Sequence, residues 1–134
     1  QFRQLRDELG VTILMITHNI ALVAEVADRI AVMYAGQMAE LGSVYEVFDA
    51  PRHPYTQGLL ASVPTISLDE RTELFKMGGE PPNLTHPPQG CRFHPRCSQA
   101  LPICSQREPE LRPVNGGQLV HCWLYQTHES QGAS

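Results

Sequence analysis

The sequence predicts an α/β unit followed by a small, irregular, metal-stabilised extension that carries four cysteines. Three observations support this division. A continuous apolar and β-branched run occupies residues 11–17, and apolar residues at helical spacing follow it. Eight of the eleven prolines lie at or beyond Pro81, and all four cysteines lie beyond residue 90. We therefore expect regular secondary structure in residues 1–66, and a proline-rich linker with a cysteine extension in residues 67–134.

The charge of the chain excludes several classes of partner. Residues 1–66 carry four arginines against seven acidic residues, and residues 67–134 carry six basic against seven acidic residues. This balance argues against a nucleic-acid groove and against a polybasic membrane patch. We expect no transmembrane segment, because no apolar run approaches the roughly 20 residues that span a bilayer. No signal peptide is recognised after Gln1, and we expect the chain to be part of a longer protein.

The first predicted strand is Val11–Thr17, whose uninterrupted apolar character is typical of a strand buried on both faces of a parallel sheet. It ends at His18, and Asn19 is a suitable N-cap for the helix that follows. His18 is thus predicted at the carboxyl end of a buried strand, where open α/β sheets bind ligands. Imidazole there could donate a hydrogen bond to an anionic oxygen beside a helix N-terminus. The alternative is a capping or merely exposed histidine.

A hairpin and two short helices are predicted next. Ile30–Tyr34 has strand character, and Ala35-Gly36 makes a plausible turn into Gln37–Leu41, since glycine tolerates a positive φ. Ser43 and the glutamate three residues later form a capping box for a helix that ends near residue 49. A further helix is predicted from Pro54 through residue 60, with the preceding histidine near its cap.

The stretch from residue 16 to residue 60, ITHNIALVAEVADRIAVMYAGQMAELGSVYEVFDAPRHPYTQGLL, closely resembles the end of the nucleotide-binding domain in ATP-binding subunits of ABC transporters. It is most similar to those of dipeptide and oligopeptide importers, of which the HPYT stretch at His53–Thr56 is a further mark. The resemblance implies that residues 1–66 are the carboxy-terminal remnant of a P-loop ABC ATPase domain. His18 matches the family's switch-loop histidine, which contacts the γ-phosphate of ATP and helps position the attacking water. The family usually has aspartate where this chain has Asn19.

The resemblance also implies the ligands, partners and location of the full-length protein. These are ATP and Mg²⁺, the membrane-spanning permease subunits with a second ATPase subunit, and a cytoplasmic position on the inner face of the cell membrane. The 134 residues contain no GxxxxGK[ST] loop, no LSGGQ-like signature and no acidic run that could supply catalytic carboxylates. Phosphoryl transfer depends on those parts, so we expect no ATP hydrolysis by these residues alone. The alternative function is a stand-alone metal-binding structural or interaction module.

The four cysteines are spaced C-x5-C-x6-C-x17-C. A loop-rich segment of this size buries too little surface to fold on hydrophobicity alone, and a four-thiolate metal site would supply the missing folding energy. Disulfides and four unconnected buried cysteines are the alternatives, and the cytosolic location implied above disfavours disulfides. The spacing lacks both the C-x2–4-C pairs of zinc ribbons and the C-x2-C repeats of ferredoxins, so it leaves the metal open.

The pattern GCRFHPRC, followed by two further cysteines, resembles the carboxy-terminal extension of peptide-importer ATPases, whose four cysteines in some members ligate a [4Fe-4S] cluster. This implies that the chain's four cysteines are ligands of such a cluster, with Zn²⁺ as the alternative: Cys91, Cys97, Cys104 and Cys122. If Gln118–Tyr125 is a strand, Val120, Cys122 and Leu124 share one face, and the fourth thiolate points towards the loop that carries the other three.

Overall fold

The computed structural model describes residues 1–63 and 77–126. The first range contains two short helices, a β-hairpin and two further short helices, and the second contains three 3₁₀ turns and a second β-hairpin joined by irregular segments. The helices are α1 Phe2–Leu9, α2 Ile20–Val26, α3 Val44–Asp49 and α4 Pro54–Ala61; the strands are β1 Arg29–Tyr34, β2 Gln37–Ser43, β3 Leu111–Val114 and β4 Gln118–His121; the 3₁₀ turns are His94–Arg96, Pro102–Ser105 and Trp123–Tyr125.

The strands in the described part of the chain form one antiparallel sheet with the order β1-β2-β4-β3. β2 pairs with β4 through Glu40 opposite Val120 and Leu41 opposite Leu119. This pairing joins the two parts of the chain, since the first two strands precede residue 44 and the other two follow residue 110. The extension is therefore less irregular than expected, because it contributes two strands to a shared sheet. The predicted boundary between residues 66 and 67 lies outside the described residues.

The predicted buried strand at residues 11–17 is not formed. The structure assigns no strand to this stretch, and its apolar side chains are largely exposed, with Leu14 at 88% and Ile16 at 94%. A central strand of a parallel sheet needs a strand on each edge and helices on both faces. No strand among residues 1–63 and 77–126 pairs with residues 11–17. The prediction was wrong for this chain because the partners that would bury the run are not among its described residues.

The hairpin between β1 and β2 has the predicted turn. Ala35 and Gly36 both adopt positive φ, 49° and 79°, as a two-residue type I′ turn requires. Tyr34 pairs with Gln37 on either side of this turn. β2 continues to Ser43, two residues further than expected. The local sequence pattern thus predicted the position of the hairpin and its turn, but not the register shift that occurs between Val32 and Met33.

The predicted helix caps are confirmed. The side chain of Asn19 accepts the Leu22 N–H at the start of α2. Ser43 Oγ accepts the Glu46 N–H, while Glu46 Oε2 accepts the Ser43 N–H, which completes the capping box of α3. α4 begins at Pro54 and is capped by the ring of the preceding histidine.

The predicted strand Gln118–Tyr125 ends early. β4 stops at His121, and Trp123–Tyr125 form a 3₁₀ turn in which the Tyr125 N–H donates to the Cys122 carbonyl. Alternation holds as far as Cys122, which is buried as expected, whereas Leu124 is exposed. The turn is the reason, since a strand period of two no longer applies once the backbone curls.

Two small apolar clusters lie on the hairpin. One joins Val32 and Ala39 to Val47 of α3. The other joins Tyr34 of β1 to three buried residues of the extension, which are Cys91, Phe93 and Cys104. The extension therefore packs on the hairpin and shares its core. No helix in either described range is long and apolar enough to cross a membrane.

Candidate functional site

His18 lies directly before the N-cap of α2 and is exposed. The turn that presents it is held by the Asn19 N–H, which donates to Thr17 Oγ1 at 3.0 Å. The structure therefore places His18 beside a helix N-terminus, as predicted. It does not place the residue at a sheet edge, because residues 11–17 form no strand.

Three of the four cysteines lie in residues 90–105, which we call the cysteine loop. Its two ends meet where the Cys91 N–H donates to the Cys104 carbonyl at 2.7 Å. Gly90, with φ 77°, makes this approach possible, because a Cβ there would lie 2.3 Å from the Cys104 carbonyl oxygen. The loop closure brings Cys91 and Cys104 together although thirteen positions separate them in the sequence.

The fourth cysteine reaches the loop from residues 118–126, which we call the Cys122 arm. Burial raises the pKa of the Cys122 thiol to about 12, and the neighbouring thiols of Cys91, Cys97 and Cys104 add to this rise. Burial also raises the pKa of Cys91 and Cys97. Cys91 and Cys104 lie in one buried cluster, and Cys97 packs against it. The effect of these thiols on the pKa of Cys122 places the Cys122 arm beside the cysteine loop.

Every sulfur of this group is faced by a backbone N–H group. The donors are Phe93 and His94 for Cys91, Gln99 for Cys97, Leu101 for Cys104 at 3.3 Å, and Leu124 for Cys122. Backbone N–H groups stabilise a thiolate more than a thiol, so they oppose the effect of burial on the pKa. Such hydrogen bonds to sulfur are also one of the means by which proteins tune iron–sulfur centres.

All four cysteines are free thiols, and the predicted alternative of disulfides is not observed. The described residues contain no group of three or more His, Cys, Asp or Glu side chains in a metal-holding arrangement. The four sulfurs are nevertheless of the ligand type that zinc and iron–sulfur centres use, three of them are buried, and the Leu101 N–H donates to the Cys104 sulfur at 3.3 Å. Burial alone keeps such thiols protonated, and a bound cation would reverse that preference.

Two arginines of the cysteine loop donate hydrogen bonds to residues outside the loop. Arg92 Nη1 donates to the Ala35 carbonyl at 2.5 Å. Arg96 donates to the Gly78 carbonyl at 3.0 Å through Nε and to the Tyr34 hydroxyl at 3.3 Å through Nη1. The loop is therefore held from outside by polar contacts to β1 and its turn, in addition to the shared apolar cluster.

Sequence reasoning missed Glu40, whose side chain is fully buried at 0% exposure. Its carboxylate accepts the N–H groups of Arg52 and His53, each at 3.0 Å, and the side-chain amide of Gln118. Gln118 belongs to β4, so Glu40 ties the hairpin to both the loop before α4 and the Cys122 arm. Nothing in the sequence marked it, because a glutamate in a strand is ordinarily read as solvent-facing.

His53 is the second buried polar residue that connects the two parts, and it is 2% exposed. Its Nδ1 accepts the Tyr55 N–H at 3.0 Å. Burial lowers the pKa of His53 to about 4, and the ring of His121 contributes in the same direction. The backbone carbonyl of His121 opposes this effect by accepting a hydrogen bond from the His53 ring. The ring is therefore neutral at pH 7.

Comparison with known proteins gives the family. Residues 39–104 match the family described as the oligopeptide/dipeptide transporter, C-terminal region. The chain is 47% identical over 122 residues to the oligopeptide transport ATP-binding protein OppD of Bacillus subtilis, covering 91% of the chain and 34% of the relative. It is 40% identical over 124 residues to the dipeptide transport ATP-binding protein DppD of Caldanaerobacter subterraneus subsp. tengcongensis, covering 92% of the chain and 38% of the relative.

A third relative, the dipeptide transport ATP-binding protein DppF of Escherichia coli, is 40% identical over 126 residues, with 94% of the chain and 37% of the relative covered. The chain thus spans little more than a third of the length of these relatives. The similarity extends across both the hairpin part and the cysteine extension, in agreement with the shared sheet. The chain belongs to the family of dipeptide and oligopeptide transport ATP-binding proteins and corresponds to their carboxy-terminal part.

Proposed function

We propose that the full-length protein containing this chain hydrolyses ATP, with Mg²⁺, to drive the import of dipeptides or oligopeptides. The family match and the names of the relatives carry this proposal. Its partners would be the membrane-spanning permease subunits and a second ATPase subunit, at the cytoplasmic face of the cell membrane. The 134 residues lack the phosphate loop, signature motif and acidic run, so turnover requires the rest of the protein.

Within that protein we assign to His18 the contact with the γ-phosphate. Its position before the N-cap of α2 supports the assignment, because the N–H groups of a helix N-terminus favour anionic oxygens.

Replacing His18 by alanine in the full-length protein is expected to lower the ATPase rate by roughly 100-fold or more, the usual cost of losing a group that stabilises the transition state. Nucleotide binding should change far less. The matched control is Asn19→Asp, which keeps a capping oxygen for α2 and introduces the residue that the family usually has there, so it should retain most of the activity. A steady-state phosphate-release assay measures the turnover of both variants. Unchanged turnover in His18→Ala would contradict the assigned role.

We further propose that Cys91, Cys97, Cys104 and Cys122 bind an inorganic centre, a [4Fe-4S] cluster or alternatively Zn²⁺. Two observations support this proposal: Cys97 packs against the buried cluster that contains Cys91 and Cys104, and the Cys122 thiol is affected by all three of these thiols. When bound, the centre would supply the positive charge that stabilises four thiolates in a buried position. The protein's own contribution is to hold the cysteine loop closed and to seat it against the hairpin.

The β2–β4 pairing favours this combined assignment over a stand-alone metal-binding module. A module of that kind would form few contacts with the residues before it. Here the extension shares a sheet with the hairpin, and Tyr34 packs in one cluster with Cys91 and Cys104. The extension is accordingly assigned a structural role at the end of the ATPase domain.

A further inference from the structure

The segment Ala50–Tyr55 lies between the Cys122 arm and the cysteine loop. On its first side it binds the Cys122 arm at two places. Gln118 Nε2 donates to the Ala50 carbonyl at 3.1 Å, and the Tyr125 hydroxyl donates to the Arg52 carbonyl at 2.8 Å. Gln118 comes four positions before Cys122 and Tyr125 three positions after it, so the segment binds the arm on both sides of Cys122 in the sequence.

His53 makes a third contact with the arm, directly beside the thiol. The carbonyl of His121, the residue before Cys122, accepts a hydrogen bond from the His53 ring. Nδ1 of the ring already accepts the Tyr55 N–H, so the donor to His121 is Nε2. The neutral ring therefore has a fixed tautomer, in which Nδ1 is the acceptor and Nε2 is the donor.

On its other side the segment packs against the cysteine loop. The rings of Tyr55 and His53 lie with their centroids 5.5 Å and 5.8 Å from that of Phe93. Phe93 is a buried residue between Cys91 and Cys97, and its N–H group faces the Cys91 sulfur. His53 thus lies against both parts, against the cysteine loop through Phe93 and against the Cys122 arm through the His121 carbonyl.

We propose that the segment Ala50–Tyr55, and His53 in particular, is the positioning element that seats the Cys122 arm against the cysteine loop. The inference rests on the proposed four-cysteine site. Seventeen residues separate Cys104 from Cys122, and β4 pairs with β2 only through residues 119 and 120, so further contacts are needed to fix where the fourth sulfur lies. A rigid third element that holds both parts reduces the conformational freedom that metal binding must overcome. His53 touches no metal-binding atom, and it acts through the His121 carbonyl and Phe93.

Two substitutions of His53 separate positioning from helix capping. His53→Asn keeps an oxygen near the place of Nδ1, and asparagine is a strong N-cap for α4, but its side chain is too short to reach the His121 carbonyl. His53→Gln places an amide N–H near the place of Nε2 and is a poorer cap. If His53 positions the Cys122 arm, His53→Asn should be the more impaired variant. If His53 only caps α4, His53→Gln should be the more impaired variant.

The first measurement is the rate at which a chelator removes metal from the full chain. We expect removal about 10-fold or more faster from His53→Asn than from wild type, the usual effect of losing a group that orients a ligand, with His53→Gln closer to wild type. The inference is overturned if His53→Asn retains metal as well as wild type, or if the order follows capping strength, with His53→Gln the more damaged.

The second measurement needs no metal. In the reduced, metal-free chain, alkylation of each cysteine is followed by mass spectrometry. Cys122 should react faster in His53→Asn than in His53→Gln, while the reactivity of Cys91 and Cys104 changes little. Equal protection of Cys122 in all three proteins would contradict the inference. If wild type bound no metal but this order held, the metal proposal would fail and the positioning role would stand.

Discussion

Replacing Cys122 by serine is expected to abolish stable metal binding by the full chain. A thiolate is a soft ligand that suits zinc and iron–sulfur centres, whereas a serine hydroxyl stays protonated and binds them poorly. Structural four-ligand sites contribute on the order of 10 kcal/mol of apparent binding free energy in small domains. Losing one of four ligands should therefore destabilise the cysteine loop more than any other single change in the extension.

Metal content and thermal unfolding of anaerobically purified protein measure this effect. The variant should contain little metal and should lose amide hydrogen-exchange protection at His94 and Cys97, whose N–H groups form the loop's internal bonds. Ser98→Ala is the matched control, since it removes an exposed hydroxyl next to Cys97 and no proposed ligand. A Cys122→Ser protein with the full metal content and melting temperature of wild type would show that this thiol is not a ligand.

Replacing Glu40 by alanine is expected to cost roughly 3–5 kcal/mol of folding free energy. Three donors would lose their acceptor in a fully buried position: the N–H groups of Arg52 and His53, and the amide of Gln118. Water cannot replace the carboxylate without opening the contact between the hairpin and the Cys122 arm. Since small domains have only about 5–15 kcal/mol of stability in total, the variant should be largely unfolded under mild stress.

Urea unfolding monitored by circular dichroism measures the loss. Glu25 provides the control, because it is exposed on α2 and Glu25→Ala should change stability by no more than about 0.5 kcal/mol. The larger cost for Glu40→Ala comes from buried donors that are left unpaired. Because Glu40→Gln keeps one acceptor oxygen, its stability should lie between those of Glu40→Ala and Glu25→Ala. Equal midpoints for Glu40→Ala and Glu25→Ala would refute the role assigned to this carboxylate.

The elements that sequence reasoning predicted correctly are those that local interactions determine. The Ala35-Gly36 turn needs only two residues that tolerate positive φ between two strands. The capping box of Ser43 and Glu46 uses groups three positions apart. Such features are encoded within a few residues, so the pattern alone suffices.

The features that depend on distant partners were missed or wrong. The apolar run at residues 11–17 reads as a buried strand, yet burial depends on neighbours that the run itself does not specify. Glu40 was missed because its donors come from residues 52, 53 and 118, which no local pattern connects to it. The β2–β4 pairing likewise joins residues that lie about eighty positions apart.

The candidate metal site falls between these cases. The alternation of Val120 and Cys122 correctly predicted that the fourth thiol is buried, since a strand period of two applies up to that residue. The turn that starts there could not be anticipated, and Leu124 is exposed as a result. The spacing of the cysteines also did not indicate that His53 contacts both parts of the site, because that contact depends on the packing of His53 and of Tyr55 in α4 against Phe93.

The most direct test of the four-thiolate centre is the determination of iron, acid-labile sulfide and zinc, with a visible spectrum, on the anaerobically purified full chain. The proposal predicts iron and sulfide in equal amounts with broad visible absorption or, for the alternative metal, about one zinc ion per chain in a colourless protein. A folded, colourless protein without iron or zinc, whose four cysteines all titrate as free thiols, would contradict it.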